Sequence, residues 1–243
     1  MANRKRAEAR RKAQAKTGDG DSGISPKAWI GLGVAVLLIG GIVFFATRGD
    51  DSTADGNDPD TTEQPGTSFP DSQPVTITGD ALPAFDPNAA TDEAVGMPAP
   101  VLSGLNFVGD EVTVDAPAEG PYMVVFLAHW CPHCNAEVPR LLDWKNSGAV
   151  PDELNVVGVA TANAEGQVNY PPSSWFSNKG WSWPVIVDES LGAGTAGKAA
   201  VAYGASGWPY FVIVGADGLV KARASGEQEV SAIQAIVDEA LAS

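Results

Sequence analysis

The hexapeptide HWCPHC, residues 129–134, contains both cysteines and both histidines of the 243-residue chain. Two thiols separated by two residues lie close together on one helix, where they can join as a disulfide or separate as a dithiol. A disulfide between them would close a loop so short that it would restrict the chain very little. The spacing therefore argues against a structural disulfide and favours reversible two-electron chemistry at sulfur.

A helix that begins at Pro132 would place Cys131 at its N-terminus, because proline suits the first helical turn. Unpaired N–H groups and the helix dipole favour an anion there, so we expect the pKa of Cys131 to lie below the free value of about 8.5. An imidazolium at His133 would stabilise the thiolate further and make the disulfide more oxidising. For His129 we favour packing or solvent exposure over chemistry. We assign Cys131 as the nucleophile and Cys134 as the resolving thiol.

Metal binding is the first alternative, since thiolates and imidazoles are ligands of zinc and copper. Closed zinc sites usually combine two ligand clusters, and no Cys or His lies outside the hexapeptide. Covalent haem attachment requires CxxCH, and Asn135 occupies the last position. Copper chaperones of the Sco type use a CxxxC and a distant histidine, and the sequence has neither. We expect no metal and no cofactor beyond a redox-active disulfide between Cys131 and Cys134.

The residues after the second cysteine carry a family resemblance. The stretch CPHCNAEVP, residues 131–139, resembles the CxxCxxExP pattern of membrane-anchored thioredoxin-like proteins of the TlpA, ResA and DsbE type. Its Pro-His dipeptide resembles that of DsbA, a strong oxidant. Glu137 matches the acidic position of the family, which implies a partly buried carboxyl that exchanges protons with the resolving thiol. Pro139 removes one backbone hydrogen bond within this helix.

A second stretch, YGASGWPYFVIVGADGLV at residues 203–220, resembles the family's cis-proline segment. The resemblance implies a cis bond before Pro209, in a loop that faces the cysteines and pairs with an extended peptide. Trp208 is larger than the residue expected there, and we expect Trp130, Trp208 and Pro209 to contact the substrate. Many thioredoxins carry a buried acid six residues before the first cysteine, where this chain has Val125. Proton transfer would then fall to Glu137, His133 or water.

The apolar runs predict the elements that position these residues. Residues 122–128 form a continuous apolar run, which is typical of a buried strand, and the hexapeptide follows this run directly. The other predicted elements are a hairpin in 100–114, a helix over 132–146, strands at 154–161 and 184–188, a short helix over 197–204, a hairpin over 210–225 and an amphipathic C-terminal helix. This order implies an α/β, thioredoxin-like fold, with a mixed central sheet and helices on both faces.

The charge pattern divides the chain into four parts. The chain has 15 Lys and Arg against 30 Asp and Glu, yet residues 1–27 hold eight bases and three acids. Residues 28–47 are uncharged and would span about 30 Å as a helix, which predicts a transmembrane segment behind a basic cytoplasmic tail. A cleaved signal peptide is the competing interpretation. Acidic residues 48–96 predict a disordered linker, or less favourably an interaction tail, and residues 97–243 predict one domain.

Together these features predict a thiol:disulfide oxidoreductase that is held at the cell membrane with its domain outside the cytoplasm. Expected partners are extracytoplasmic protein thiols or disulfides, a membrane redox partner that resets the site, and the bilayer around residues 28–47; we expect no nucleic acid. The Pro-His dipeptide favours an oxidant, whereas the CxxCxxExP context resembles reductants in cytochrome c maturation. A Sco-like copper metallochaperone and a non-catalytic interaction module remain the alternatives.

Overall fold

A computed structural model describes residues 70–242, and within them the chain forms eight strands and five helices. The strands are β1 (Thr76–Thr78), β2 (Val101–Leu105), β3 (Glu111–Val114), β4 (Tyr122–Leu127), β5 (Asn155–Ala160), β6 (Val185–Val187), β7 (Tyr210–Val214) and β8 (Val220–Ser225). The helices are α1 (Ala116–Glu119), α2 (Pro132–Asn146), α3 (Pro172–Asn178), α4 (Lys198–Ala202) and α5 (Val230–Leu241). The predicted elements from 100 onward are all present, within a few residues of their expected ends.

The larger sheet is mixed and has the strand order β6-β5-β4-β7-β8. Strand β4 lies at its centre, parallel to β5 and antiparallel to β7. Met123 and Val125 enter a core formed with α2 and α5, while Val124 and Phe126 enter a second core formed with α4 on the opposite face. Because both faces are covered, all six side chains of β4 are buried. The predicted thioredoxin-like α/β fold is confirmed.

Residues 70–96 belong to the folded domain, and the prediction of a disordered linker is wrong for them. Strand β1 pairs with β2 in a second, antiparallel sheet of order β1-β2-β3. Val75, Leu82 and Ala94 are buried, and the Leu82 N–H donates to the Ala202 carbonyl at 2.8 Å. The segment is acidic and poor in apolar residues, but these widely spaced anchors are enough to dock it. The domain therefore begins well before the predicted boundary at residue 97.

The predicted basic tail at 1–27, the transmembrane helix at 28–47 and the linker up to residue 69 lie outside the described residues. Among residues 70–242, no helix is both long enough and apolar enough to cross a membrane.

One buried ion pair holds the segment before β2 against the larger sheet. Arg223 in β8 pairs with Asp92 through two hydrogen bonds, one of them 2.8 Å from Nε to Oδ2. The Arg223 side chain is 1% exposed and that of Asp92 16% exposed. Replacing Asp92 by alanine leaves a buried guanidinium without its carboxylate, and we expect the free energy of unfolding to fall by about 3 kcal/mol. Urea denaturation followed by tryptophan fluorescence measures this change.

Asp86 provides the matched control for that substitution. It is an exposed aspartate in the same segment, and its carboxylate bonds only to Asn88 among the described residues. We expect Asp86→Ala to change the free energy of unfolding by less than about 0.5 kcal/mol. Equal effects of the two substitutions would show that the ion pair does not hold the segment in place.

Candidate active site

The two cysteines lie where β4 gives way to α2. Cys131 is the N-cap residue of α2 and Pro132 occupies the first helical position, as predicted. Both thiols are free, but their exposure differs: Cys131 is 5% exposed, whereas Cys134 is fully buried. Of the two cysteines, only Cys131 keeps some exposed surface, so it is the one that a second protein can approach.

The surroundings of the two sulfurs separate their pKa values. Hydrogen bonds from the Cys134 thiol and from the backbone N–H groups of Cys134 and His133, with the charge of His133, outweigh burial and lower the pKa of Cys131 to about 6. Burial above all, and then the interaction with Cys131, raise the pKa of Cys134 far above its usual value. At neutral pH the outer sulfur is therefore a thiolate while the inner one keeps its proton.

The loop before β7 faces the outer thiol. The peptide bond between Trp208 and Pro209 is cis, as the resemblance implied, and the Trp208 carbonyl oxygen lies 3.6 Å from Cys131 Sγ, where it accepts a hydrogen bond from the protonated thiol. Trp208 and Trp130 are half-buried and pack on the core that contains the cysteines. The Trp130 Nε1–H donates to the Ala162 carbonyl at 2.8 Å, which fixes the ring. The structure thus places Trp208 and Pro209 in the loop that contacts Cys131, and Trp130 directly before Cys131 in the chain. Substrate binding by these three residues stays a prediction.

Glu137 is fully buried one helical turn after Cys134. Its Oε2 accepts hydrogen bonds from the Gln228 N–H at 2.9 Å and from Arg140 Nη1 at 3.3 Å, whereas its Oε1 has no hydrogen-bond partner among the described residues. Burial raises the pKa of Glu137 above its ordinary value, and its charge in turn raises the pKa of Cys134. A carboxylate with one free oxygen beside the resolving thiol can accept a proton through water.

His133 projects from α2 with 62% of its side chain exposed. Its Nδ1 lies 2.7 Å from Glu227 Oε1, and this hydrogen bond is the main cause that raises the pKa of His133. The other oxygen of Glu227 accepts a bond from Arg140 at 2.7 Å. Sequence reasoning missed Glu227, because it lies 94 residues after His133 and no motif marks it.

His129 is fully buried, so of the two roles weighed for it packing is the one that the structure shows. Its Nδ1 lies 2.9 Å from the Val168 carbonyl, and its Nε2 accepts from the Ala164 N–H at 3.3 Å. Burial lowers the pKa of His129, which keeps the ring neutral. The ring thus fixes the loop after β5 against the active-site hexapeptide.

Asn135 holds the hexapeptide together, a role that the sequence did not reveal. Its Nδ2 donates to the carbonyls of His129 at 3.2 Å and Cys131 at 2.9 Å, and its Oδ1 accepts from Trp175 Nε1 at 2.9 Å. The backbone carbonyl of Asn135 loses its helical donor because Pro139 has no N–H. Lys179 Nζ donates to that carbonyl at 3.0 Å instead.

Within residues 70–242, no group of three or more His, Cys, Asp or Glu side chains is arranged to hold a metal ion. Val125, which stands in place of the buried acid of many thioredoxins, is fully buried in β4.

Comparisons with known proteins agree with this architecture. A family model described as Redoxin matches residues 77–240, which is more than half of the chain. A solved structure of a DsbF homologue from Corynebacterium diphtheriae is 18% identical and has a TM-score of 0.51; the match covers 65% of this chain and 98% of that one. A solved structure of a thioredoxin family thiol:disulfide interchange protein from Chlorobium tepidum TLS is 24% identical and has a TM-score of 0.47. The match covers 61% of this chain and 98% of that one. A search of curated proteins found no match.

Proposed function

The chain belongs to the Redoxin family and is a thioredoxin-like thiol:disulfide oxidoreductase, and from this premise we propose that it donates disulfides to extracytoplasmic proteins while tethered to the membrane. Two observations support the direction: the Pro-His dipeptide between the cysteines resembles that of DsbA, and the pKa of Cys131 is lowered to about 6. A stabilised thiolate is a good leaving group, so the reduced form is favoured and the disulfide oxidises its substrates.

In the proposed reaction, a substrate thiolate attacks the sulfur of Cys131 in the Cys131–Cys134 disulfide. The bond between the two cysteines breaks, a mixed disulfide forms, and Cys134 leaves as a thiolate that takes up a proton. A second substrate thiolate then attacks the substrate sulfur of the mixed disulfide and releases Cys131 as a thiolate. The substrate dithiol loses two electrons, the active-site disulfide gains them, and Cys131 stays ionised because its pKa lies below neutral pH.

Glu137 has the position required to exchange the proton of Cys134 in either direction. Its unpartnered Oε1 is buried, and its pKa is raised, so it can give up or accept a proton nearer to neutral pH than an exposed glutamate does. The same carboxylate would serve a reductant, which must deprotonate Cys134 to complete its cycle. A reductive role in cytochrome c maturation, which the CxxCxxExP pattern favours, is therefore the alternative direction.

The membrane tether rests on the sequence of the N-terminal part. The uncharged residues 28–47 follow a basic segment, which is the pattern of a single anchor with the basic end in the cytoplasm. An extracytoplasmic position suits a chain whose only two cysteines form its own active site, since no other thiol is present to mispair. A membrane redox partner that is more oxidising than the active site would restore the disulfide between Cys131 and Cys134 after each cycle.

The reduction potential of the full-length chain, equilibrated with glutathione buffers, tests the proposed direction. We expect a value above that of thioredoxin and towards that of oxidising donors of the DsbA type, at about −120 mV, because the Pro-His dipeptide and the lowered pKa of Cys131 both favour the reduced form. A value near that of thioredoxin, at about −270 mV, would contradict the oxidant role and support the reductive alternative.

A further inference from the structure

Four ionisable side chains form one continuous row of contacts between the two ends of the reaction. His133 contacts Glu227 at 2.7 Å, Glu227 contacts Arg140 at 2.7 Å, and Arg140 contacts Glu137 at 3.3 Å. The row starts beside the nucleophile Cys131 and ends at the proton acceptor for Cys134. The carboxylate of Glu227 divides its oxygens between the two cations, with Oε1 facing the imidazole and Oε2 facing the guanidinium.

The spacing of the helix and the shape of one loop produce this row. His133, Glu137 and Arg140 are separated by four and three residues, so they lie on one face of α2. Glu227 comes from the loop between β8 and α5, and that loop is anchored at both ends of the site. The Gly226 N–H donates to the Pro209 carbonyl at 2.8 Å, and the Gln228 N–H donates to Glu137.

We propose that Glu227 is a positioning residue of the exchange reaction, whose carboxylate orients the His133 ring, favours its imidazolium form and holds Arg140 against Glu137. This inference rests on the proposed function, since it assigns a role within that site. The charged groups that face His133 are Cys131 and Glu227, and those that face Glu227 are His133 and Arg140. Arg140 also lies 3.9 Å from Glu229, which does not reach the histidine.

The consequence for the reaction appears when the redox state changes. In the reduced protein, the Cys131 thiolate and Glu227 both favour the imidazolium of His133. In the disulfide form the thiolate charge is gone, and Glu227 is the acidic group that still faces His133 among the described residues. Glu227 thus favours the positive charge on His133 before the thiolate forms, so that fewer protons must reach His133 during exchange.

The pKa of His133 in the full-length disulfide form tests this role, and NMR measures it directly because the chain has only two histidines. Glu227→Gln removes the negative charge but keeps a side chain of the same shape. We expect the ratio of imidazolium to imidazole at His133, measured at a fixed pH, to fall about two- to fivefold, the range typical of exposed ion pairs. The buried His129 should titrate as in the unmodified chain and serves as the internal reference.

Glu229→Gln is the matched control, because it removes a charge from the same loop without a contact to His133. We expect this variant to leave the titration of His133 unchanged. An unchanged titration of His133 in Glu227→Gln would overturn the proposal. An equal shift in both variants would also overturn it, because the shift would then come from the net charge of the loop and not from the contact with Glu227. If either result overturned the role of Glu227 while the chain still exchanged disulfides, the proposed function would stand. If the unmodified chain had no exchange activity, the proposed function itself would fail.

Discussion

Replacing Cys131 by serine is expected to reduce disulfide exchange to the uncatalysed background. The hydroxyl of serine neither forms a disulfide nor ionises near neutral pH, and the remaining sulfur of Cys134 is fully buried and has a strongly raised pKa. Reduction of a substrate disulfide, and oxidation of a substrate dithiol by the pre-oxidised chain, both measure the loss. The near-identical shape of serine keeps the fold intact, which circular dichroism checks.

Replacing Cys134 by serine separates the two thiols of the pair. Cys131 is still the more accessible of the two residues and keeps its position at the N-terminus of α2, so it still attacks, but no partner resolves the mixed disulfide. We expect substrate adducts to accumulate in cells, to appear as slower bands on non-reducing gels and to vanish with a reductant. The absence of adducts in this variant, or their presence in Cys131→Ser, would refute the assignment of nucleophile and resolving thiol.

Periodicity was enough to predict the elements that position the thiols. The continuous apolar run at 122–128 marks β4 because a strand covered on both faces has no polar side to alternate with. Pro132 marks the start of α2 because its ring suits the first turn of a helix. The cis bond before Pro209 came from the family resemblance and not from periodicity. These signals are local, so a sequence reveals them directly.

The contacts that the sequence did not reveal are long-range. Glu227 approaches His133 only because the hairpin of β7 and β8 places the loop that follows it next to the N-terminal end of α2. Lys179 donates a hydrogen bond to the Asn135 carbonyl, which has no helical donor because of Pro139, although Lys179 lies 44 residues after Asn135. The predicted domain boundary at residue 97 was wrong for a related reason. The segment before it is acidic, and its three widely spaced apolar anchors are buried only because they pack against residues that come later in the chain.

Replacing Glu137 by glutamine is expected to slow exchange by about 10²-fold, the lower range for loss of a proton-transfer group. Glutamine still offers an oxygen to the Gln228 N–H, but it cannot take the proton of Cys134. Stopped-flow measurement of the step that forms or resolves the mixed disulfide, as a function of pH, reports the change. In the unmodified chain the step in which Cys134 gives up its proton becomes faster as Glu137 ionises, and the step in which Cys134 takes up a proton becomes slower. The variant should lose both dependences on pH.

Stability distinguishes this catalytic loss from a damaged fold. The pKa of Glu137 is higher in the folded protein than its ordinary value, so the folded state binds the proton more tightly and the free energy of unfolding falls as pH rises through that interval. Glutamine is always neutral, and we expect the variant to be at least as stable as the unmodified chain above this interval. Glu239→Gln, at an exposed position on α5, is the control and should change neither rate nor stability. An unchanged exchange rate in Glu137→Gln would mean that water alone carries the proton of Cys134.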